Sequence, residues 1–349
     1  MKTFRGLVAL AMALPTAVLP AACDRLAPGG DGLRVGLAYD IGGRGDKSFN
    51  DAAGAGIDRV RAELAGAVTE VRELAAREDE TDADKYERLK LLCDAGFDVV
   101  IAVGYVYAGA PPDEGPLAKA AKECEDTRFA IVDDAGVRAP NVANLVFAEE
   151  EGSFLVGVVA ARRTRTGRVG FVGGCQNSLI GKFAAGYVAG VDAARPDTVV
   201  DVRYLAGDEA PCPGFIARDE ARTAAGAMYD EGSDVIYHAA GAAGLGVFEA
   251  ARDRTAMAIG VDSDQYLTVG PDVRGVIITS MVKRVDTAVF DFVAGVTQGR
   301  FSSGIRRFDL ASGGVGYATS GGRIDDLVPE LETYRKKIID GSLIVPTNR

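Results

Sequence analysis

Short runs of aliphatic and β-branched residues recur along the chain, with helical spacing between them. Residues 33–39, 67–71, 98–103 and 128–133 begin about thirty residues apart, the length of one strand–helix–strand unit. Between the first two runs, Ala53, Ile57, Val60 and Leu64 fall on one helical face. Before the third, Thr81 is placed to cap a helix reaching about Cys93, with Asp84 at the capping-box position. Glu78, Asp79, Glu80 and Asp82 lie before and in its first turn, where acidic groups suit the positive helix end and form a solvated edge. The rhythm resumes with predicted strands at 143–147, 168–172, 198–204, 234–238, 256–261 and 275–280. Strands alternating with helices imply α/β architecture with parallel sheets covered on both faces. The pattern is too long for one comfortable sheet, so two doubly wound lobes are expected. Ligands of such folds sit beyond the C-terminal strand ends.

The N-terminus follows a different plan. Lys2 and Arg5 precede an apolar stretch at 6–19, and Pro20-Ala21-Ala22 leads into Cys23. That is the layout of a secretory signal over 1–22, too short to span a bilayer. A Cys directly after two alanines also resembles a bacterial lipobox, in which Cys23 becomes the lipidated first residue. Plain secretion with an incidental Cys23 is the alternative. Residues 23–32, rich in Gly, Pro and Asp, read as a tether. No cofactor or metal site is expected.

Charge and composition narrow the function. The chain carries a formal charge of −11, and removal of residues 1–22 takes away two cations, a poor match for nucleic acid. His238 is the only histidine, so a HExxH zinc site is excluded and no GxSxG elbow accompanies it. In an oxidising compartment Cys93, Cys124, Cys175 and Cys212 allow three disulfide pairings. Cys93–Cys124 with Cys175–Cys212 is favoured because each pair falls within one half. Four buried thiols are the alternative.

Candidate chemistry gathers after predicted strands. The first strand ends in Tyr39-Asp40 and enters Ile41-Gly42-Gly43-Arg44-Gly45-Asp46-Lys47-Ser48-Phe49-Asn50. Glycines let backbone approach a ligand, Asp40, Ser48 and Asn50 are short polar groups, and Phe49 offers a ring face. Alternatively, Ser48 or Asn50 caps a helix and Phe49 is core. Gly43 and Gly45 lack the third glycine of a dinucleotide fingerprint, and the stretch 173–183 has Gln176 and Phe183 where a P-loop needs Gly and Ser or Thr. The third strand leads into Gly104-Tyr105-Val106-Tyr107, the fourth into Asp133-Asp134, and His238 is followed by a glycine-lined wall at 239–246. His238 itself reads as a packed strand end. Asp262 ends another strand in Ile259-Gly260-Val261-Asp262-Ser263-Asp264-Gln265, where calcium-loop spacing fails at Tyr266. Lys283 follows the next strand. A carboxylate and an ammonium in one cleft can hold vicinal hydroxyls, one accepting and one donating; a simple ion pair is the alternative.

Five strings together resemble the basic membrane protein family, the nucleoside-binding lipoproteins of ABC transporters. They are Asp46-Lys47-Ser48-Phe49-Asn50, Phe147 through Glu151-Gly152-Ser153-Phe154, Ala240-Gly241 through Gly244-Leu245-Gly246-Val247-Phe248, Gly260 through Gln265, and Ser280-Met281-Val282-Lys283-Arg284. The resemblance implies a type I periplasmic-binding-protein fold, two lobes joined by three crossing strands. Lobe 1 is then expected at 33–142 with 264–306 and lobe 2 at 143–263 with 307–349. It also implies a purine base stacked between Phe49 and Phe183, with Asn50 and Asp133 on the base edge. Asp262, Lys283 and the Gly241 backbone would take the ribose hydroxyls, with Asp40 and Ser48 on the lobe 1 side. Gln176-Asn177-Ser178-Leu179-Ile180 departs from the family's usual hydrophobic-proline stretch before Phe183, which leaves base preference open. The implied partners are a nucleoside and a membrane permease, for a monomer anchored at Cys23 on the extracytoplasmic face of the cell membrane. A nucleoside hydrolase using Asp262 or Asp133 as base, and a ligand sensor without transport, are the competing readings.

Overall fold

The computed structural model describes Met1, residues 32–208 and residues 212–349. The expected cleavage point, Cys23 and the tether up to Asp31 lie outside the described residues.

All ten predicted strands form. They are β1 (Leu33–Ala38), β2 (Val68–Leu74), β3 (Val99–Ala102), β4 (Arg128–Val132), β5 (Val142–Phe147), β6 (Arg168–Cys175), β7 (Val199–Ala206), β8 (Val235–Ala239), β9 (Met257–Asp262) and β10 (Ile277–Lys283). Two short strands were not anticipated, β11 (Gly304–Phe308) and β12 (Val315–Tyr317). The strands make two six-stranded sheets, ordered β11-β5-β4-β3-β1-β2 and β12-β10-β9-β8-β6-β7. The first is parallel throughout. In the second only β12 runs antiparallel, against β10. The central strands β3 (VVIA) and β8 (VIYHA) are buried at every position, as expected for strands covered on both faces. Edge strands β2 and β7 keep most positions partly exposed.

Helices α1 (Phe49–Glu63), α2 (Asp82–Asp94), α3 (Pro116–Glu123), α4 (Glu149–Arg163), α5 (Ser178–Ala194), α6 (Arg218–Asp230) and α7 (Gly244–Asp253) fill the connections. The capping box at Thr81 and Asp84 forms as predicted. Both favoured disulfides are present. Cys93–Cys124 joins the ends of α2 and α3 in lobe 1, and Cys175–Cys212 joins the end of β6 to a loop in lobe 2.

The expected lobe boundaries need correction at two strands. β5 belongs to the first sheet, although 143–263 was assigned to lobe 2, and β10 belongs to the second, although 264–306 was assigned to lobe 1. The switch comes at the far end of each strand, because a strand must finish its pairing before the chain can leave the sheet. The chain therefore crosses after Phe147, after Lys283 and between β11 and β12. These crossings put Glu149 and Lys283 beside the cleft between the lobes.

Candidate functional site

The C-terminal strand ends of both sheets face one interlobe cavity. It is lined by eight of the predicted site residues: Asp40, Phe49, Asn50, Asp133, Phe183, Gly241, Asp262 and Lys283. Ser48, the ninth, does not line it. Its hydroxyl donates to Asp262 Oδ2 at 2.6 Å, so it steadies that carboxylate across the lobes.

Lys283 is the centre of the polar set. Its side chain is 1% exposed and pairs with Asp133 and, at 3.4 Å, with Glu149. Burial works against the ammonium, but Asp133, Glu149 and Asp262 outweigh it and hold its pKa above the ordinary lysine value. Burial lifts Asp133 and Asp262 above the usual carboxylate range while Lys283 pulls each back. Asp133 Oδ1 is buried and accepts no hydrogen bond among the described residues. An unpaired buried carboxylate oxygen is costly unless a ligand completes it.

Backbone geometry aims these groups. Asp133, the residue after β4, and Asp262, the last of β9, lie in the left-handed region, at φ 69° and 62°, and Lys47 just before Ser48 has φ 59°. Non-glycine residues seldom adopt that conformation, and three of the four described examples cluster at this cleft, the pattern of strain held at a working site.

Asp40 is buried, accepts the Ile41 N–H at 2.7 Å, and is pushed up to about 7, chiefly by burial. A Cβ on Gly104 would lie 2.6 Å from Asp40 Oδ2, so the third-strand loop can pass this close only with glycine there. Asn50 is already engaged: its amide donates to Ile41 O and Asp46 Oδ2, both at 3.1 Å, and its Oδ1 accepts from Asp40 N at 3.2 Å. Asp46 accepts backbone N–H groups from Ser48, Asn50 and Asp51. The loop is thus knotted by its own short polar side chains before any ligand enters.

The rings converge on the same cation. Lys283 Nζ lies 5.0 Å from the Phe49 centroid, 5.1 Å from Phe147 and 5.5 Å from Phe183. Phe49 comes from lobe 1 and Phe183 from α5 of lobe 2, so the two rings flank one space rather than lying on outer faces. The lobes also touch directly. Asn177 Nδ2 donates to Tyr105 Oη at 3.1 Å, Ser263 Oγ to Ser48 O at 3.1 Å, and Gln265 Nε2 to Lys47 O at 3.0 Å. His238 is fully buried against Phe248 and Gln265, with its pKa lowered to about 4 by burial. It is a packed strand end, as expected.

Sequence reasoning passed over Glu149 and Phe215. Glu149 is fully buried at the start of α4, holding Lys283 on one side and Lys182, at 3.0 Å, on the other. Its place in the Phe147–Phe154 string was the available signal. Phe215 lines the cavity from the end of a single 3₁₀ turn, Pro213–Phe215, too short to carry a periodicity.

The arrangement is one buried cation among several carboxylates, bounded by aromatic rings and glycine backbone, with no arginine among the lining residues. It suits an uncharged ligand with a flat ring and several hydrogen-bond donors. A family model described as ABC transporter substrate-binding protein PnrA-like (Bmp) matches residues 34–349. The chain belongs to this family. It is 33% identical over 97% of its length to the CD4+ T-cell-stimulating antigen of Listeria innocua, covering 97% of that protein. It is 30% identical over 90% of its length to the ABC transporter nucleoside-binding protein BmpA of Lactococcus lactis, covering 89% of it. Among solved structures, a solute-binding protein of an ABC transporter system from Aeropyrum pernix superposes with a TM-score of 0.74 at 27% identity, over 91% of this chain and 94% of that one. The fold is therefore that of type I periplasmic binding proteins, and the family is one of transport receptors.

Proposed function

We propose that this chain captures a nucleoside, foremost a purine nucleoside, for import through a membrane permease. The observation that carries the reading is the unpaired Asp133 Oδ1 beside buried Lys283, within a cavity bounded by Phe49 and Phe183. Phe49 and Phe183 stack on the base from opposite lobes. Asp133, with Asp40 behind it, accepts from the base edge; Asn50 adds only the remaining lone pair of its Oδ1. Lys283, Asp262 and the Gly241 backbone take the ribose hydroxyls, and Ser48 orients Asp262. The excess of carboxylates over cations disfavours a phosphorylated ligand. Binding draws the lobes together, and the permease reads the closed form. The name of the Lactococcus lactis relative supports the ligand class. The role is binding rather than catalysis, carried out as a monomer held by lipid at Cys23 on the extracytoplasmic face.

Calorimetry on ligand-stripped protein with adenosine, guanosine, inosine and uridine tests this. Binding heat is expected with the purine nucleosides, and the nucleoside is recovered intact. No heat with any of the four rejects the reading, and release of free base would make the protein a hydrolase instead.

A further inference from the structure

Two side chains of lobe 2 hold consecutive carbonyls of lobe 1. Gln265 Nε2 donates to Lys47 O at 3.0 Å, and Ser263 Oγ to Ser48 O at 3.1 Å. Both carbonyls stand just ahead of Phe49 and Asn50, yet neither Gln265 nor Lys47 lines the cavity. Lys47 precedes α1 with φ 59°, and the Asp51 N–H that a helix would aim at its carbonyl goes to Asp46 Oδ1 instead. The Lys47 carbonyl is thus left for the other lobe.

Within lobe 2, Gln265 is held on all sides. It opens a one-turn helix, Gln265–Thr268, directly after the end of β9, and is fully buried. Its backbone N–H donates to Ser280 Oγ at 3.1 Å, and its Oε1 accepts from Val261 N at 2.9 Å and lies 3.0 Å from His238 Nε2. A backbone N–H can only donate and a carbonyl can only accept, so the amide has one orientation and the ring nitrogen facing Oε1 carries the proton. Burial keeps His238 neutral, which leaves Nδ1 bare; it is buried with no hydrogen-bond partner among the described residues. Two glycines make room for the pair. A Cβ on Gly244 would lie 1.9 Å from His238 Cε1, and a Cβ on Gly260 would lie 2.6 Å from Gln265 Oε1. Every side-chain bond of this buried pair stays in lobe 2 except the last, which crosses to lobe 1.

We propose that Gln265 is a latch on the closed cleft, and that His238 is the positioning residue that aims it. The proposal rests on the nucleoside reading above for its ligand. The latch grips the backbone ahead of Phe49 rather than the ligand itself. Its bond exists only while the lobes are together and must break before they part. It therefore governs how fast a captured ligand leaves, not how fast one enters.

The test is stopped-flow measurement of association and release at about pH 8, with the tightest-binding of the same four nucleosides. Tyrosine fluorescence reports it, since the chain has no tryptophan, and urea unfolding checks each ligand-free variant. Gln265→Glu keeps an oxygen for Val261 and His238 but turns a second acceptor toward Lys47 O; Gln265→Met removes both ends of the amide. Both are expected to release the nucleoside about tenfold faster, as for one buried hydrogen bond left unmade, with association within about twofold of the parent. His238→Phe, whose ring occupies the same cradle, is expected to speed release about threefold in the parent and to add nothing in the Gln265→Met background. Parental release by either Gln265 variant overturns the proposal, because the bond to Lys47 is then idle. Equal effects of His238→Phe in the two backgrounds overturn the positioning role, since the ring is then packing alone. Gln265 variants that slow association as much as they speed release, or that no longer fold, make Gln265 a structural residue of lobe 2 and overturn it too. A parent that binds none of the four removes the nucleoside reading and this proposal with it, whereas binding with unaltered release removes the latch alone.

Discussion

The two walls of the cleft are made of different material. Lobe 1 presents Asp40, Asp46, Asn50 and Asp133, whereas lobe 2 presents Leu179, Ile180, Phe183, Phe215 and the small residues Ala239, Gly241 and Ala242. Ile41, Phe49 and Tyr105 on the polar side, and Asp262 with Lys283 on the apolar side, are the exceptions, and Lys283 sits at a crossing between lobes. The polar wall is largely bonded to itself before a ligand arrives, through Asp46 and Asn50. The apolar wall is shaped instead by packing, glycine backbone and a disulfide. In the proposed function, recognition of a ring's edge falls to a prefabricated loop, and recognition of its face largely to a wall whose shape depends on how side chains stack.

The largest expected effect tests the charge that joins the walls. Lys283→Met leaves Asp133, Glu149 and Asp262 without their shared cation, and breaking a buried pair in this way costs about 3–5 kcal/mol. Urea unfolding should show a loss of that size, together with loss of nucleoside binding. A stable variant would mean the carboxylates pair elsewhere and the walls are independent.

Next in size is truncation of the apolar wall. Phe183→Ala should weaken every nucleoside by about 1–3 kcal/mol, the usual worth of stacking on one base, while leaving their rank order unchanged. Asp133→Asn on the polar wall should reorder the bases instead, since an amide both donates and accepts. Calorimetry across the four nucleosides separates the two, and a reordering by Phe183→Ala would dissolve the division between face and edge.

The smallest effect concerns pH. Asp40 is held near 7 by burial against an ordinary 3.8. Between those values the folded state keeps a proton that the unfolded state has lost, so this contribution is fully present below about pH 4 and disappears as pH rises through 7. Asp40→Asn should flatten part of the decline in unfolding free energy between pH 4 and 7, with denaturation curves taken at each pH. An unchanged slope would place the titration in other groups.

Much of the frame was legible because strand burial writes itself as continuous apolar runs, and the strand-end positions of Asp40, Asp133, Asp262 and Lys283 follow from those runs. β11 and β12 were not legible. Their segments, GIRRF and VGY, are too short for a period, and pairing with β5 and β10 alone makes them strands. The lobe boundaries slipped for the same reason, since the composition of β5 and β10 does not say which sheet they join. Within the site, residue types were readable but prior commitments were not. Ser48 is bound to Asp262 and Asn50 to its own loop, and only the folded distances reveal that. Glu149 was hidden because an acidic helix start ordinarily faces water; here the crossing after Phe147 tucks it beneath Lys283.

β11 and β12 come from the last part of the chain, and each covers the outer edge of a different sheet. A nascent polypeptide ending before β11 would leave β5 and β10 as bare edges, open to pairing with strands of other molecules. Neither half can be completed, or produced alone as one uninterrupted fragment, until nearly the whole polypeptide has been made. With the extracytoplasmic role proposed above this ordering is useful, because a chain that reaches its native shape late stays threadable during translocation.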